Sequence, residues 1–123
     1  MARWVPLGML VALLLAAPAA AQQPQQELGE GATAAGAQIR DRGRVLGSIE
    51  LTQVGERVEA VARFQRRPPG RKTSLCLTIA GDRRCVKRAS KAGLELRLRD
   101  TAAFGASLRA TARSADARAS VEL

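Results

Sequence analysis

From Arg44 to the C-terminus the chain alternates apolar and polar positions with a period of two. Val45, Gly47, Ile49 and Leu51 fall on one side; after "QVGE", Val58, Ala60, Ala62 and Phe64 do the same. "RRPPG" interrupts the pattern, and Leu75, Leu77 and Ile79 resume it. Leu94, Leu96 and Leu98 alternate with Glu95, Arg97 and Arg99, and Leu108, Ala110 and Ala112 alternate with arginines and a threonine. Ala117, Ala119, Val121 and Leu123 close the chain. Successive side chains of a strand point to opposite faces, so this pattern predicts half-buried antiparallel strands. With a short strand around Cys85–Lys87 the count is about seven, separated by turn residues, which predicts an all-β fold: a small antiparallel sandwich over 44–123.

The closing stretch "SLRATARSADARASVEL" resembles the last hairpin of bacterial immunoglobulin-like domains, and the resemblance implies an immunoglobulin-like sandwich. It is one of fold, because the mature chain has neither the tryptophan nor the tyrosine that mark true immunoglobulin domains. One segment stays open. Asp100 would serve as an N-cap, and Phe104, Leu108, Thr111 and Ala112 recur at helical spacing, so 100–113 also reads as containing a helical turn.

The first residues follow a different logic. "MARWVPLGMLVALLLAAPAAA" places Arg3 before an apolar run and ends in small residues, the layout of a secretory leader over 1–21. The run is short for a membrane span, and no cysteine near the cleavage point offers a lipid attachment site. Residues 22–43, rich in glutamine, glycine and alanine, read as a flexible low-complexity lead-in, with little apolar surface to offset ordering entropy. The expected destination is the periplasm or the extracellular space, without a transmembrane span after cleavage.

Charge then changes the picture. The chain has 20 basic and 11 acidic residues, a formal net charge of +9. Cleavage of the leader removes only Arg3, leaving a net of +8. Between Arg63 and Lys91 there are ten basic residues and a single acid, Asp82, so the rest of the mature chain is close to neutral. Arginine enrichment through base composition is the bland explanation, but it does not account for acids avoiding this stretch. A localised excess of one sign points to an anionic partner.

Several chemistries are excluded by residue type. The chain has no histidine, which removes histidine-assisted nucleophiles and histidine-ligated metals. "KTS" at Lys72–Ser74 lacks the serine–x–x–lysine partner of a β-lactamase site. Glu56, Glu59, Glu95 and Asp100 fall at turn or solvent-facing strand positions rather than across a cleft. We expect no enzyme activity, cofactor or metal. Phe64 and Phe104, the mature chain's two aromatics, fall on apolar faces and are expected in the core. Stacking on bases or sugar rings is thereby excluded, and nucleic acid would be engaged only non-specifically.

Cys76 and Cys85, the two cysteines, admit one intramolecular pairing, and export favours its oxidation. If they sit opposite each other, Leu75 pairs with Val86, Ser74 with Lys87 and Thr78 with Arg83, around a four-residue loop Ile79–Asp82. The cysteines then occupy a close, non-hydrogen-bonded pair that a disulfide can bridge. A two-residue turn at Gly81–Asp82 would instead leave them diagonal. In the bridged register Leu75, Leu77 and Val86 face the core, Arg84 lies on the inner side with its head at the rim, and Arg83 and Lys87 point outward. Arg66, Arg67, Arg71, Lys72, Arg88 and Lys91 complete the predicted anion-binding set. The expected function is a non-enzymatic binding module with a basic, disulfide-braced lobe for an anionic envelope component (lipid phosphate or acidic polymer) or an acidic protein surface. The alternatives are a small inhibitor or accessory subunit docking to one protein, and a structural envelope module.

Overall fold

A computed structural model describes residues 25–29 and 31–123; the expected leader over 1–21 lies outside the described residues. Among the described residues nine strands form in the order β1 (Gln25–Gly29), β2 (Ala32–Asp41), β3 (Arg44–Val54), β4 (Arg57–Phe64), β5 (Lys72–Ile79), β6 (Asp82–Ala89), β7 (Glu95–Thr101), β8 (Leu108–Ser114) and β9 (Ala117–Glu122). They build two antiparallel sheets, β1-β2-β3-β4-β7 and β6-β5-β8-β9. The protein is an all-β sandwich. Taking β3 to β9 as A, B, C, C′, E, F and G, the sheets read A-B-E and C′-C-F-G, an immunoglobulin-like order. The β1–β2 hairpin extends the first sheet at its A-strand edge, and β2 runs against β9 of the other sheet.

The alternating apolar positions make the core. Ile49, Leu51, Val58, Ala60, Ala62 and Phe64 of one sheet meet Leu75, Leu77, Leu108, Ala110, Ala112 and Val121 of the other, all buried. A buried leucine stabilises by roughly 2–3 kcal/mol, whereas a buried alanine methyl contributes only about 0.8 kcal/mol. With four of these twelve positions alanine and Phe64 the one aromatic, the core is light for its size. A covalent cross-link matters more in such a core than in a leucine-rich one.

Four expectations are corrected. Residues 32–41, read as part of the lead-in, form β2, which pairs along its length with β3 and buries Ala35 and Ile39. Small side chains carry little hydrophobic signal, but backbone pairing orders the segment. Val45 is 37% exposed while Leu46 is buried. The pairing steps from Ile39↔Gly47 to Arg40↔Val45, so Leu46 is the extra residue of a bulge and turns inward as Val45 turns out. At Gly47, buried between Ile39 and Phe64, a Cβ would lie 1.9 Å from the Arg63 carbonyl oxygen. Only glycine fits there.

Phe104 is 45% exposed rather than in the core. It lies in the β7–β8 connection, where the Ala106 N–H donates to the Ala103 carbonyl and Gly105 takes φ +95°. The helical reading of 100–113 also gives way. Leu108, Ala110 and Ala112 pair with Ile79, Leu77 and Leu75, so the period of two prevails through contacts with β5. Asp100 accepts from the Thr101 N–H and from Arg84 instead of capping a helix. Beneath the same connection Gln53, buried on β3, donates to the Ala102 and Ala103 carbonyls.

Candidate functional site

The β5–β6 hairpin sets the geometry of the cysteines. Cys76 is paired directly with Cys85, flanked by Leu75↔Val86, Ser74↔Lys87 and Thr78↔Arg83. The pairing runs one step beyond the expected loop, to Ile79↔Asp82, and the chain reverses through Ala80 and Gly81 alone. Both take positive φ, 49° and 93°, as a two-residue hairpin turn requires. The turn therefore sits one residue earlier than Gly81–Asp82, which reconciles a tight turn with opposed cysteines. Their Cα atoms are 4.0 Å apart and the disulfide is formed.

Strand alternation puts both sulfurs on the outer face of β6-β5-β8-β9, where the register assembles three rows across the sheet. Arg83, Thr78, Arg109 and Glu122 form one row; Cys85, Cys76, Thr111 and Ser120 the next; Lys87, Ser74, Arg113 and Arg118 the third. Lys72, paired with Ala89, lies one step further along β5. The side chains enclose an open trough of about 530 Å³. Its floor is the disulfide and the small hydroxyl side chains, with Thr111 and Ser120 hydrogen-bonded at 2.9 Å. Its rims are cationic.

The face carries Lys72, Arg83, Lys87, Arg109, Arg113 and Arg118 against one acid, Glu122. Glu122 is engaged by Arg109, whose Nε donates at 2.8 Å. Arg83 turns over the bridge, with Nη2 3.5 Å from Cys76 Sγ. The remaining four cations have no ion-pair partner among the described residues. Arg113 and Arg118 are directly opposed across β8 and β9, a like-charge pairing that destabilises a sheet by a few tenths of a kcal/mol, about the scale of any cross-strand pair.

The opposite outer face uses its arginines differently. Arg97 bridges Glu59 at 2.7 Å and also pairs with Glu95; Arg99 reaches Glu59 at 2.9 Å, and Arg63 lies 3.6 Å from both Glu50 and Glu95. The Arg97 hydrogen bond, seconded by that from Arg99, holds the Glu59 carboxyl below the usual range. The Arg97 hydrogen bond does the same for Glu95, and the two glutamates together raise Arg97. At the rim Asp100 is lowered first by the Thr101 backbone N–H and then by Arg84, 2.8 Å away.

Of the residues singled out in the sequence, Lys72, Arg83 and Lys87 line the trough. Arg88 projects from the other side of β6, paired with the inward-facing Thr73. Arg66, Arg67, Arg71 and Lys91 are exposed around one end of it. That end is fixed by the β4–β5 connection: the Gly70 N–H donates to the buried Ser114 Oγ, and the Arg71 carbonyl accepts from Ser90 N–H. Arg109, Arg113 and Arg118, absent from the predicted set, join the trough because β5 pairs with β8 and β8 with β9. Their alternation with Ala110, Ala112, Ala117 and Ala119 was the available signal; the β5–β8 adjacency was not.

No group of three or more cysteine, aspartate or glutamate side chains among the described residues is placed to hold a metal ion. Comparison with protein-family models, curated proteins and solved structures finds no match.

Proposed function

We propose that the protein is an exported, non-enzymatic binding module that holds an anionic component of the cell envelope against the outer face of β6-β5-β8-β9. One observation carries the reading: six cations and one acid share that face, while the other face of the same sandwich pairs its arginines with glutamates. Cations kept without acids beside them form a positive field that attracts and retains anions. The hydroxyl floor adds hydrogen-bond donors, and the disulfide stiffens the hairpin that bears Arg83 and Lys87, which lowers the entropic cost of binding. The apolar leader and the cross-link both support an oxidising, extracytoplasmic destination.

The test is titration of the purified, disulfide-bonded protein with heparin, DNA and anionic vesicles at low and moderate salt. Binding should weaken steeply as salt rises, because neutralising charges on a polyanion releases counterions. No binding to any of them at low salt would overturn the reading. A second reading, docking to one protein partner, is favoured by Phe104, the exposed aromatic of the β7–β8 connection. An aromatic anchor of that kind gives binding that is nearly insensitive to salt and lost in Phe104→Ala.

A further inference from the structure

Resting on that reading, we infer that the end of the trough around Ser74 is a site for a terminal phosphate, a phosphomonoester or diphosphate group. The charge within the trough is not even. At one end Arg109 is taken up by Glu122 and Arg83 lies over the disulfide sulfur. At the other, Ser74 has Lys87 directly opposite on β6 and Arg113 directly opposite on β8. Lys72 precedes it by two residues on the same face, and Arg118 stands beside Arg113. Strand geometry puts the Cα atoms of Lys72, Lys87 and Arg113 within about 7 Å of that of Ser74, and Arg118 at about 10 Å. All four side chains are long enough to converge on one group above the serine.

Four cations within side-chain reach of one hydroxyl match a compact anion of high charge better than dispersed single charges. A phosphomonoester carries about −1.5 to −2 near neutral pH, with three acceptor oxygens. The Arg113 guanidinium offers a planar fork to two of them, the lysines offer point charges, and Ser74 Oγ–H offers a short central bond. The Ser74 hydroxyl has no hydrogen-bond partner among the described residues, in contrast to Thr111 and Ser120 in the next row. The acids on neighbouring segments are Glu122, held by Arg109 at the far end, Asp82, paired with Ile79 at the far end of β6, and Asp116 in the β8–β9 turn.

The chain has no histidine, so between pH 5.5 and 7.5 the titrating partner is the ligand. Raising pH through that interval should strengthen binding of phosphate monoesters severalfold, as the second proton leaves. Binding of dextran sulfate, whose esters are fully charged throughout, should stay constant. Inorganic pyrophosphate and phosphatidylcholine vesicles carrying phosphatidic acid distinguish a soluble from a lipid source; vesicles carrying phosphatidylglycerol, a diester, are the control. We expect pyrophosphate to bind, and phosphatidic acid to be preferred to phosphatidylglycerol at equal mole fraction if the source is lipid. Ser74→Ala and Arg113→Lys should each weaken pyrophosphate binding by about tenfold to a hundredfold, the worth of one charge-assisted hydrogen bond, and spare dextran sulfate. Pyrophosphate bound without any vesicle binding would assign the site to a soluble phosphate. Dextran sulfate bound with no response of pyrophosphate to pH, to Ser74→Ala or to Arg113→Lys would overturn the phosphate site and leave the polyanion reading standing. Failure of wild-type protein to bind any of these ligands would overturn both.

Discussion

The outer faces of the two sheets present similar side chains at similar spacing, and differ in where the acids fall. On β3-β4-β7, Glu50, Glu59 and Glu95 alternate with Arg63, Arg97 and Arg99, and nearly every charge has a counterpart within reach. The buried Val61 lies within this lattice, between Glu50 and Arg97 in the register. On β6-β5-β8-β9 the equivalent positions hold serine, threonine and cystine, and apart from the Arg109–Glu122 pair the cations stand without acids. Arginine content alone therefore does not make a binding surface. One sandwich shows arginine as a cross-strand brace on one side and as unspent charge on the other.

The sharpest way to break this comparison is to remove four cations from each face. Lys72→Ser, Lys87→Ser, Arg113→Ser and Arg118→Ser together should lower affinity for a polyanion about a hundredfold at 0.1 M salt, with a shallower salt slope, since four counterion-releasing contacts are lost. Arg57→Ser, Arg63→Ser, Arg97→Ser and Arg99→Ser remove the same charge from the other face and should change affinity by only about threefold, through the long-range field alone. Stability should respond in the opposite sense. The second set dismantles the ion-pair lattice and should cost about 1–2 kcal/mol in denaturant titration, at several tenths per exposed pair, whereas the first removes repulsion and should cost nothing. Equal loss of affinity from both sets would reduce the trough to a generic positive charge.

The disulfide belongs to one face only. Cys76→Ser with Cys85→Ser should destabilise the fold by about 2–3 kcal/mol, the loop entropy expected for a ring this small. Affinity should fall less than stability does, because the register of β5 on β6 and β8 survives through backbone pairing. An unchanged denaturation midpoint would show that pairing alone holds the hairpin.

Acid should act on the other face and at the rim. Glu59, Glu95 and Asp100 have folded-state values below those of the unfolded chain. The native state thus binds fewer protons, so their contribution is complete above the ordinary carboxylate range and is lost as pH falls through the depressed values. Thermal stability should decline from about pH 5 downward. Arg97→Ser, which removes the partner shared by Glu59 and Glu95, should flatten that decline, and Arg113→Ser should leave its slope unchanged. The same slope in both variants would mean that the ion-pair lattice is not what acid dissolves.

How much of this was readable in the sequence divides along the same line. The pairing Cys76↔Cys85 and the outward direction of Arg83 and Lys87 follow from local alternation within one hairpin, and the structure bears out that register. The contribution of Arg109, Arg113 and Arg118 depends on β8 lying beside β5, a contact between segments some thirty residues apart that no local pattern announces. Arg97 and Arg99 looked equivalent to Arg113 in the sequence; only the register, which sets Glu59 beside the first two and Arg118 opposite the third, separates braces from free charge. The Leu46 bulge was hidden for a related reason. "RVLGSIEL" alternates cleanly from Val45 to Leu51, which puts Leu46 on the polar side, and only the pairing of β2 with β3 inserts the extra residue that turns Leu46 inward.

The smallest effect isolates a single residue from each face. Arg118 stands directly opposite Arg113, whereas Arg99 stands directly opposite Glu59. Arg118→Ser relieves a like-charge cross-strand pair and should raise stability by a few tenths of a kcal/mol; Arg99→Ser deletes an opposite-charge pair and should lower it by about the same amount. Propensity is matched, because both are strand positions exposed to solvent and receive the same side chain. Both changes should shrink in 1 M NaCl, where the screening length falls to about 3 Å and exposed charges are felt only in direct contact. Two substitutions of one kind, opposite in sign at low salt and converging at high salt, would show that the sheet accepts a standing electrostatic cost at Arg118. The same sign for both would leave the unpaired cations without any measurable cost, and so without the strongest physical reason to regard them as retained for a partner.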